Sequence, residues 1–440
     1  NKMSLSLRLV QVVGKVLQKM GRGGSFPGTL GLKLDPQMIS KFRMPKIVIL
    51  VTGTNGKTTT ANLLAESLRQ SGLKVVHNRK GDNLNVGIAS LLAMNSDGHY
   101  RIQADACVIE VDELTLYHQF KALHPSHLVV HNFFRDQLDR AGEMETIIRR
   151  VEEIIRDFKG TLILNGDDPN VVRLADQAKQ ARVQFYSVCE NAVSQNTTDE
   201  ASEGKFCPRC GNRLVYDYYQ YSHIGRFYCE RDDFGKIQPT VYVHSIQYDR
   251  HTFQALGKSF HSFMNTIYAI YNCAAVLTVM RDLGLDVDHA NQVFKTFQMK
   301  EGRNEVFELS KPCIINLIKN PTGTNEVLKY ILKDEQEKNV VIILNDNDQD
   351  GCDVSWIWDA HFERLLKGNV RHILTSGKRA YDMALRLKYE GLEEKVMVKE
   401  KIEAEKRKLD RLEAELRENL RKSDAKKEEQ KKLKEQLQVE

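Results

Sequence analysis

A short loop rich in glycine and threonine follows the apolar stretch "PKIVILV" and precedes a helical pattern. Glycines let a backbone wrap around a phosphate group, and amide N–H groups at the start of the next helix point at it. In such a loop Lys57 would reach the β- and γ-phosphates, and the Thr58 hydroxyl would bind Mg²⁺. The loop therefore predicts an ATP-type nucleotide site, with a plain glycine turn before a helix as the alternative. Its residues are Gly53, Thr54, Asn55, Gly56, Lys57, Thr58 and Thr59.

Glu110 ends the apolar segment "ACVIE", which is typical of a buried strand. At the C-terminal end of a parallel strand, an acidic residue faces the crevice in which nucleotides bind. Glu110 is therefore a candidate Mg²⁺ ligand, and Asp112 and Glu113 are candidates to share this role. The alternative is that a carboxylate at this place caps the following helix.

Three of the eight cysteines form a cluster in the sequence, and the other five are scattered. Cys207 and Cys210 form a C-x-x-C pair and Cys229 follows, which is the spacing of a zinc ribbon. A fourth cysteine is expected where Asp232 stands, so Asp232 is the candidate fourth zinc ligand and His223 is the alternative. A ribbon that folds without metal also remains open. The pattern is not a secreted disulfide framework and suits a reducing cytoplasm.

Composition restricts the possible partners of the 440-residue chain. A net charge of +5 permits acidic ligands but does not indicate nucleic-acid binding, and only three arginines lie between Cys207 and Cys229. No stretch approaches the ~20 apolar residues of a membrane span. The N-terminal segment is amphipathic and basic, which predicts a helix that either packs on its own domain or contacts an anionic membrane surface.

Short apolar runs alternate with helical patterns along much of the chain. This alternation predicts an α/β fold with a mostly parallel sheet and helices on both faces. A tyrosine-rich β segment is expected as an insertion. The last 42 residues are mostly charged residues with leucine and alanine, and their thin leucine stripe is typical of a solvated helix. The predicted parts are a leader at 1–44, an ATP-binding domain at 45–300 with an insertion at 204–237, a smaller α/β domain at 301–398 and a helical tail at 399–440.

Several motifs resemble the Mur ligases, which use ATP to activate a carboxylate as an acyl phosphate and then join it to an amine. The loop "TGTNGKTT" has the form found in that superfamily, because the first glycine of the common P-loop would fall at Val51. Within the superfamily the chain is similar to the MurT family through "GRGGSFPG", "NFFRDQLDRAGE", "LNGDDP" and "DVSWIWD". The resemblance covers about residue 18 to about residue 398. It implies a Mur ligase central domain with a zinc-ribbon-like insertion and a Rossmann-like C-terminal domain.

The resemblance implies roles for individual residues. Lys57 and Thr58 match the residues for phosphate and Mg²⁺, and Glu110 matches the metal-binding glutamate. Asn272 of "YNCAA" matches an asparagine that meets the adenine, and Arg303 of "GRNE" matches an arginine directed at the ATP phosphates from the interdomain linker. A planar cation suits a phosphate, and an amide suits a base edge.

One stretch departs from the family pattern near the predicted adenine pocket. Ala269 and Thr266 stand where Mur-type enzymes usually have a second asparagine and a glycine. The charged tail after Val398 also replaces the folded, strand-containing end that the family implies.

The resemblance implies a partner. Members of the MurT family obtain ammonia from a glutaminase, GatD, and amidate the D-Glu α-carboxylate of lipid II at the membrane surface. Asp353 in "DGCDVSWIWD" matches the carboxylate that completes the partner's Cys–His pair, and Asp350 is the second candidate. From the residues alone, "DGCD" is typical of a turn or helix cap. Trp356 and Trp358 are expected at or near that interface, with core packing as the alternative.

Two other functions remain open from the sequence. One is a stand-alone Mur-like ligase that joins an amino acid, as in folylpolyglutamate synthesis. The other is a non-catalytic ATP-binding scaffold that binds partners through its helical tail and zinc module. The expected cofactors are ATP, Mg²⁺ and Zn²⁺. The expected location is the cytoplasm, and association with the inner face of the membrane is the alternative within it.

Overall fold

The chain divides into two compact units, residues 1–301 and 302–440. The helical tail predicted at 399–440 lies outside the described residues, apart from one position. The computed structural model describes residues 5–19, 24–79, 82–134, 144–198, 204–298, 303–308, 310–347, 353–398 and 418.

A nine-stranded sheet forms the frame of the first unit. The strands of this unit are β1 (Ile47–Thr52), β2 (Val75–His77), β3 (Ala106–Glu110), β4 (His127–Val130), β5 (Thr161–Asn165), β6 (Arg182–Val188), β7 (Val215–Tyr221), β8 (Ile224–Tyr228), β9 (Val241–Gln247), β10 (Thr252–Ala255) and β11 (Lys258–His261). Within the nine-stranded sheet the order is β11-β10-β9-β6-β5-β4-β1-β3-β2. The pairs from β2 to β9 are parallel, as the sequence predicts.

Helices cover both faces of this sheet, and each face has its own core. Ile49 and Val51 of β1 belong to one buried cluster, whereas Val48 and Leu50 belong to the other. This division follows from the alternation of side chains along a strand. The helices are α1 (Leu5–Lys19), α2 (Phe26–Leu34), α3 (Lys57–Gln70), α4 (Asn85–Met94), α5 (Glu113–Leu123), α6 (Met144–Ile155), α7 (Pro169–Val172), α8 (Ile267–Asp282) and α9 (Val287–Thr296).

Two features of the sheet were not predicted from the sequence. Strands β9, β10 and β11 extend it on one side, and the β9–β10 and β10–β11 pairs are antiparallel. Strand β6 was also missed, because its residues "RVQFYSV" carry a weak apolar pattern. Strands β7 and β8 form a separate antiparallel hairpin inside the segment predicted as an insertion.

The second unit contains a small parallel sheet, β14-β15-β16, and an antiparallel pair, β12-β13. Its core includes Trp356, Ile357, Phe362 and Leu365, so Trp356 is a core residue, whereas Trp358 is 47% exposed. The elements are β12 (Arg303–Glu308), β13 (Pro312–Asn316), α10 (Pro321–Lys333), β14 (Lys338–Ile343), β15 (Val370–Ser376), α11 (Ala380–Tyr389) and β16 (Val396–Val398).

Short 3₁₀ turns complete both units, at Ile39–Lys41, Arg173–Gln177, Ser355–Trp358, Phe362–Leu366 and Glu393–Lys395. At the N-terminal end, α1 packs on α2 and α4. Over the described residues, no helix is both long enough and apolar enough to cross a membrane.

Candidate functional site

The phosphate loop connects β1 to α3 at the C-terminal edge of the parallel strands. Thr52 ends the strand and Lys57 begins the helix. Gly53 and Gly56 have φ angles of +122° and +88°, which side chains rarely allow. At Gly53 an added Cβ would also lie 3.0 Å from the backbone N and O of Asn132. The loop thus has the strand–loop–helix geometry that presents backbone N–H groups to an anion.

Lys57 lies over its own loop and is 6% exposed. Its Nζ donates to the carbonyl oxygen of Gly53 at 2.5 Å and to that of Thr54 at 3.4 Å. The Nζ also lies 3.5 Å from Oε1 of Glu113. A buried ammonium group at this position can form charge-assisted bonds with phosphate oxygens, which are stronger acceptors than peptide carbonyls.

The residues after β4 hold the loop in place. The Thr54 N–H donates to the Asn132 carbonyl at 2.9 Å, and the Asn55 N–H donates to Asn132 Oδ1 at 2.9 Å. The Asn132 amide donates to the Asn55 carbonyl at 3.1 Å, and the Phe134 N–H donates to Thr54 Oγ1 at 3.0 Å. The loop conformation is therefore determined by the neighbouring strand as well as by its own glycines.

Glu110 ends β3, and its side chain is only 2% exposed. Asn78 holds this strand end, accepting from the Glu110 N–H and donating to its carbonyl, both at 2.8 Å. Oε1 of Glu110 accepts from Asn83 Nδ2 at 2.9 Å, while Oε2 is buried with no hydrogen-bond partner among the described residues. A buried carboxylate oxygen without a donor is costly, and a cation would satisfy it. The site fits Mg²⁺ on this observation, and Thr58 lies in the first turn of α3.

The two carboxylates that follow Glu110 have other partners. Asp112 caps α5, since its Oδ1 accepts from the Leu114 N–H at 3.1 Å. Burial, together with the charge of Glu113, raises the pKa of Asp112. Glu113 lies beside Lys57. The geometry therefore separates three roles that the sequence left together.

His131 is a residue of the site that sequence reasoning missed. Its Nδ1 lies 2.8 Å from the Tyr186 hydroxyl, while its Nε2 is buried with no partner among the described residues. An added Cβ on Gly56 would lie 3.9 Å from His131 Cδ2, so the ring borders the loop. Burial and the charge of Lys57 lower the pKa of His131 to about 3, which keeps the imidazole neutral.

Asn272 lies on α8 and also borders the loop. An added Cβ on Gly56 would lie 2.8 Å from Asn272 Oδ1. Thr266 caps this helix, because its hydroxyl accepts from the Ala269 N–H at 3.3 Å. Thr266, which departs from the family pattern, thus caps the start of the helix that carries Asn272.

Asp168 links the loop to the β7–β8 hairpin. Its Oδ2 accepts from the Phe133 N–H at 2.9 Å, and its Oδ1 lies 3.2 Å from Nε2 of His223, in the turn between β7 and β8. Phe134, the next residue, bonds to Thr54 as described above. Buried hydrogen bonds, together with the peptide link between Phe133 and Phe134, therefore connect the hairpin to the phosphate loop.

The four predicted zinc ligands lie together. The ligand atoms of Cys207, Cys210, Cys229 and Asp232 are all within 4.8 Å of one another. The Cys210 and Cys229 sulfurs are 3.5 Å apart, and the Cys207 thiol donates to Asp232 Oδ2 at 3.2 Å. His223, the alternative ligand, lies against Asp168 instead.

This cluster has the chemistry of a structural zinc site. The Phe234 N–H donates to Asp232 Oδ1 at 2.8 Å and lowers the pKa of Asp232 to about 2, so this carboxylate is ionised. Burial raises the pKa of the Cys207 thiol to about 12. Zinc binding would release that proton, as it does at thiolate sites generally. Three sulfurs and one carboxylate at these distances fit a tetrahedral ion.

Two predicted residues belong to the second unit. Arg303 begins β12 and pairs with Asn316, so it lies on a strand and not in a linker. Asp353 precedes the 3₁₀ turn at Ser355–Trp358, and its Oδ1 accepts from the Ser355 N–H at 2.8 Å. This is the local turn contact that "DGCD" indicates. Asp350 lies outside the described residues.

The residues that sequence reasoning missed share a signal. Asn78, His131 and Asn132 follow the C-terminal ends of β2 and β4, two strands of the same parallel sheet as Glu110. The strand-end rule that identified Glu110 applies equally to them. Asp168 and His223 carried no such signal, because their contact joins segments that are 55 residues apart.

Family models match two parts of the chain. Residues 51–227 match the Mur ligase middle domain, and residues 317–431 match the MurT ligase C-terminal domain. The first match contains the phosphate loop, Glu110 and the Cys207–Cys210 pair.

Relatives match nearly the whole chain. The chain is 35% identical over 405 residues to a "Lipid II isoglutaminyl synthase (glutamine-hydrolyzing) subunit MurT" of Staphylococcus aureus (strain COL), covering 90% of each protein. It is 31% identical over 385 residues to the protein of the same name from Streptococcus pneumoniae, covering 86% of this chain and 84% of that one.

Solved structures share the fold. A pseudomurein peptide ligase type C from Methanothermus fervidus matches with a TM-score of 0.59 and 21% identity, over 82% of this chain and 68% of that chain. MurF from Acinetobacter baumannii matches with a TM-score of 0.56 and 17% identity, over 85% and 70% of the two chains.

Proposed function

The chain belongs to the MurT family of Mur-type ligases, and we infer that it is the ATP-dependent subunit of a glutamine-hydrolysing lipid II isoglutaminyl synthase. The observation that supports this most is the 35% identity to a MurT subunit over 90% of both proteins. The reaction is amidation of the α-carboxylate of D-Glu in the lipid II stem peptide, which yields D-isoglutamine.

The reaction needs two steps. A carboxylate oxygen attacks the γ-phosphorus of ATP, and the bond between this phosphorus and the oxygen of the β-phosphate breaks. ADP departs, and the carboxylate has become an acyl phosphate. Ammonia then attacks the acyl carbon, phosphate departs with the bonding pair, and loss of a proton leaves the amide. Because charge builds on phosphoryl oxygens in the first step, catalysis depends on positioning and on charge stabilisation.

The described residues can supply both the positioning and the charge stabilisation. The backbone of residues 53–58 would hold the phosphates, and Lys57 would move from the carbonyls of Gly53 and Thr54 to phosphate oxygens. Thr58 and Glu110, whose buried Oε2 has no hydrogen-bond partner in the described part of the chain, would hold Mg²⁺. When bound, Mg²⁺ would neutralise charge on the phosphate oxygens.

Further contacts with the nucleotide are proposed for three residues. Asn272 would meet the adenine, a role that its place beside Gly56 supports. His131 would offer its neutral ring at the same side of the loop. Arg303 would bind a phosphate from the second unit, as the family resemblance implies.

Ammonia would come from a separate glutaminase subunit of the GatD type. The names of the relatives describe a glutamine-hydrolysing synthase with more than one subunit. Asp353 is the proposed carboxylate that orients the partner's catalytic histidine. The Cys207 cluster is proposed to bind a structural Zn²⁺. The place of action is proposed to be the inner membrane face, where ATP and a lipid-linked substrate meet.

Reconstitution tests this function. The chain, purified with its glutaminase, should convert lipid II to the amidated lipid only when ATP and glutamine are both present, as mass spectrometry measures. Lys57→Ala should lower turnover by about 10²–10³-fold, the usual cost of removing one donor to a developing charge. Lys74→Ala, an exposed lysine away from the loop, is the matched control.

Two outcomes would contradict the proposal. Turnover with a free amino acid and without the glutaminase would indicate a stand-alone ligase. ATP binding without turnover in any mixture would indicate a scaffold.

A further inference from the structure

The first helix of the chain exposes an apolar stripe. Leu5, Leu9, Val12 and Val16 are 88%, 51%, 59% and 52% exposed. Their spacing of four, three and four residues places them on one face of α1. Single exposed apolar residues are ordinary, but a continuous exposed stripe on one helix face marks an interaction surface.

The opposite face of α1 is docked on the first unit. Leu7 and Val10 are fully buried there. Gln11 Nε2 donates to the carbonyl oxygens of Ala93 and Ser96 at 3.0 and 2.9 Å, at the end of α4. The helix therefore cannot roll to bury the stripe without losing these contacts.

The charged side chains of α1 itself are all positive. Arg8, Lys15 and Lys19 are exposed and lie along one flank of it. Helix α1 contains no acidic residue, and the first acidic residue in the chain is Asp35, after six lysines and arginines. An apolar stripe beside a row of cations suits a surface with an anionic outer layer and an apolar layer beneath it.

We propose that α1 docks the protein on an anionic membrane surface. The four apolar side chains would enter the boundary between headgroups and acyl chains, and the cations would lie among lipid phosphates. This inference rests on the proposed function in one respect, since the lipid-linked substrate lies at that same surface. The helix lies on the surface and does not cross it.

Vesicle binding tests the proposal without catalysis. The full chain should co-sediment with vesicles of phosphatidylcholine and phosphatidylglycerol, and more weakly with pure phosphatidylcholine or at high salt. Leu9→Gln with Val12→Gln should lower the partition coefficient by about 10- to 100-fold, given the apolar area that is lost. Arg8→Gln with Lys15→Gln should lower it about tenfold or more on anionic vesicles only.

The control is Leu385→Gln, an exposed leucine of α11 that is 48% accessible. It should bind vesicles like the wild type. Equal vesicle binding by the wild type and the Leu9/Val12 double variant would overturn the proposal. Loss of the glutaminase complex, or of self-association, in that double variant with no change on vesicles would show that a protein covers the stripe.

Activity measurements separate this inference from the proposed function. With lipid II dispersed in detergent, the Leu9/Val12 double variant should retain wild-type turnover, whereas with lipid II in vesicles it should lose most of it. If the wild type binds vesicles but is inactive in both formats, the proposed function fails and the docking surface stands.

Discussion

Two glutamates near the phosphate loop, the buried Glu110 and the half-buried Glu113, differ in what their oxygens contact. Glu113 lies 3.5 Å from the Lys57 ammonium and balances part of its charge. In Glu110, Oε1 accepts a hydrogen bond from Asn83, and Oε2 has no partner among the described residues. These contacts, rather than position in the sequence, make Glu110 the metal-ligand candidate.

Glu110→Gln should therefore lower kcat/KM by about 10²-fold or more, because an amide of the same shape cannot supply an anionic ligand. Steady-state kinetics across a range of Mg²⁺ concentrations measures this effect. Asp112→Asn is the matched control, since asparagine also caps helices well, and we expect a change of less than about threefold.

The opposite ranking would change the assignment. If Asp112→Asn lost as much activity as Glu110→Gln and raised the Mg²⁺ requirement, Asp112 would be a metal ligand as well as a helix cap.

Among the elements, the β7–β8 hairpin has a role beyond its own stability. Cys229 of the proposed zinc cluster directly follows β8, and the turn of the hairpin carries His223, which contacts Asp168. Asp168 in turn orders Phe133, next to the residue that bonds to Thr54. A disturbance of the cluster should thus reach the phosphate loop through hydrogen bonds that are buried and therefore strong.

Removal of zinc should consequently weaken ATP binding more than it slows chemistry. We expect the purified wild type to contain zinc and Cys210→Ser to lack it, with a KM for ATP raised about 3- to 10-fold, since one weakened hydrogen bond is worth roughly 1 kcal/mol. Elemental analysis and ATP titration measure the two effects.

Cys189→Ser is the control, because Cys189 is a half-buried free cysteine outside the cluster. The Cys189→Ser variant should keep its bound zinc and the wild-type KM for ATP. A wild-type protein without zinc would contradict the zinc assignment, and a Cys210→Ser variant without zinc but with an unchanged KM would contradict the connection between hairpin and loop.

At the scale of the whole molecule, the two units divide the proposed chemistry. The phosphate loop and Glu110 belong to the first unit, and Arg303 and Asp353 belong to the second. Asp353 already accepts one hydrogen bond from Ser355. A residue used only for such a side-chain turn tolerates asparagine, whereas a residue that orients a histidine needs a carboxylate.

In the complex with the glutaminase, Asp353→Asn should lower glutamine hydrolysis by about 10²-fold or more and leave the complex intact. Asp334→Asn is a close control, since Asp334 likewise accepts from the N–H two residues later, that of Gln336 at 3.0 Å. Glutamate release and size-exclusion chromatography give the two measurements. Wild-type hydrolysis by the Asp353→Asn complex would leave Asp353 with its local turn contact only.

Local sequence determined much of this protein. The pattern of apolar runs and the loop "TGTNGKTT" identified the parallel sheet, the phosphate loop and the strand-end Glu110, because strands and glycine loops depend on neighbouring residues. The spacing of Cys207, Cys210 and Cys229 likewise indicated a cluster, and Asp232 joins them in space. The family followed from motifs spread along the chain.

Tertiary structure decided which groups meet. Only the packed sheet brings Asn132 to the loop, His223 to Asp168 and Gln11 to the end of α4, because these contacts join segments 55 to 85 residues apart. The three acidic residues within 110–113 acquired different roles for the same reason. An N-terminal amphipathic pattern could not show which face is buried, whereas burial of Leu7 and Val10 leaves Leu9 and Val12 in solvent.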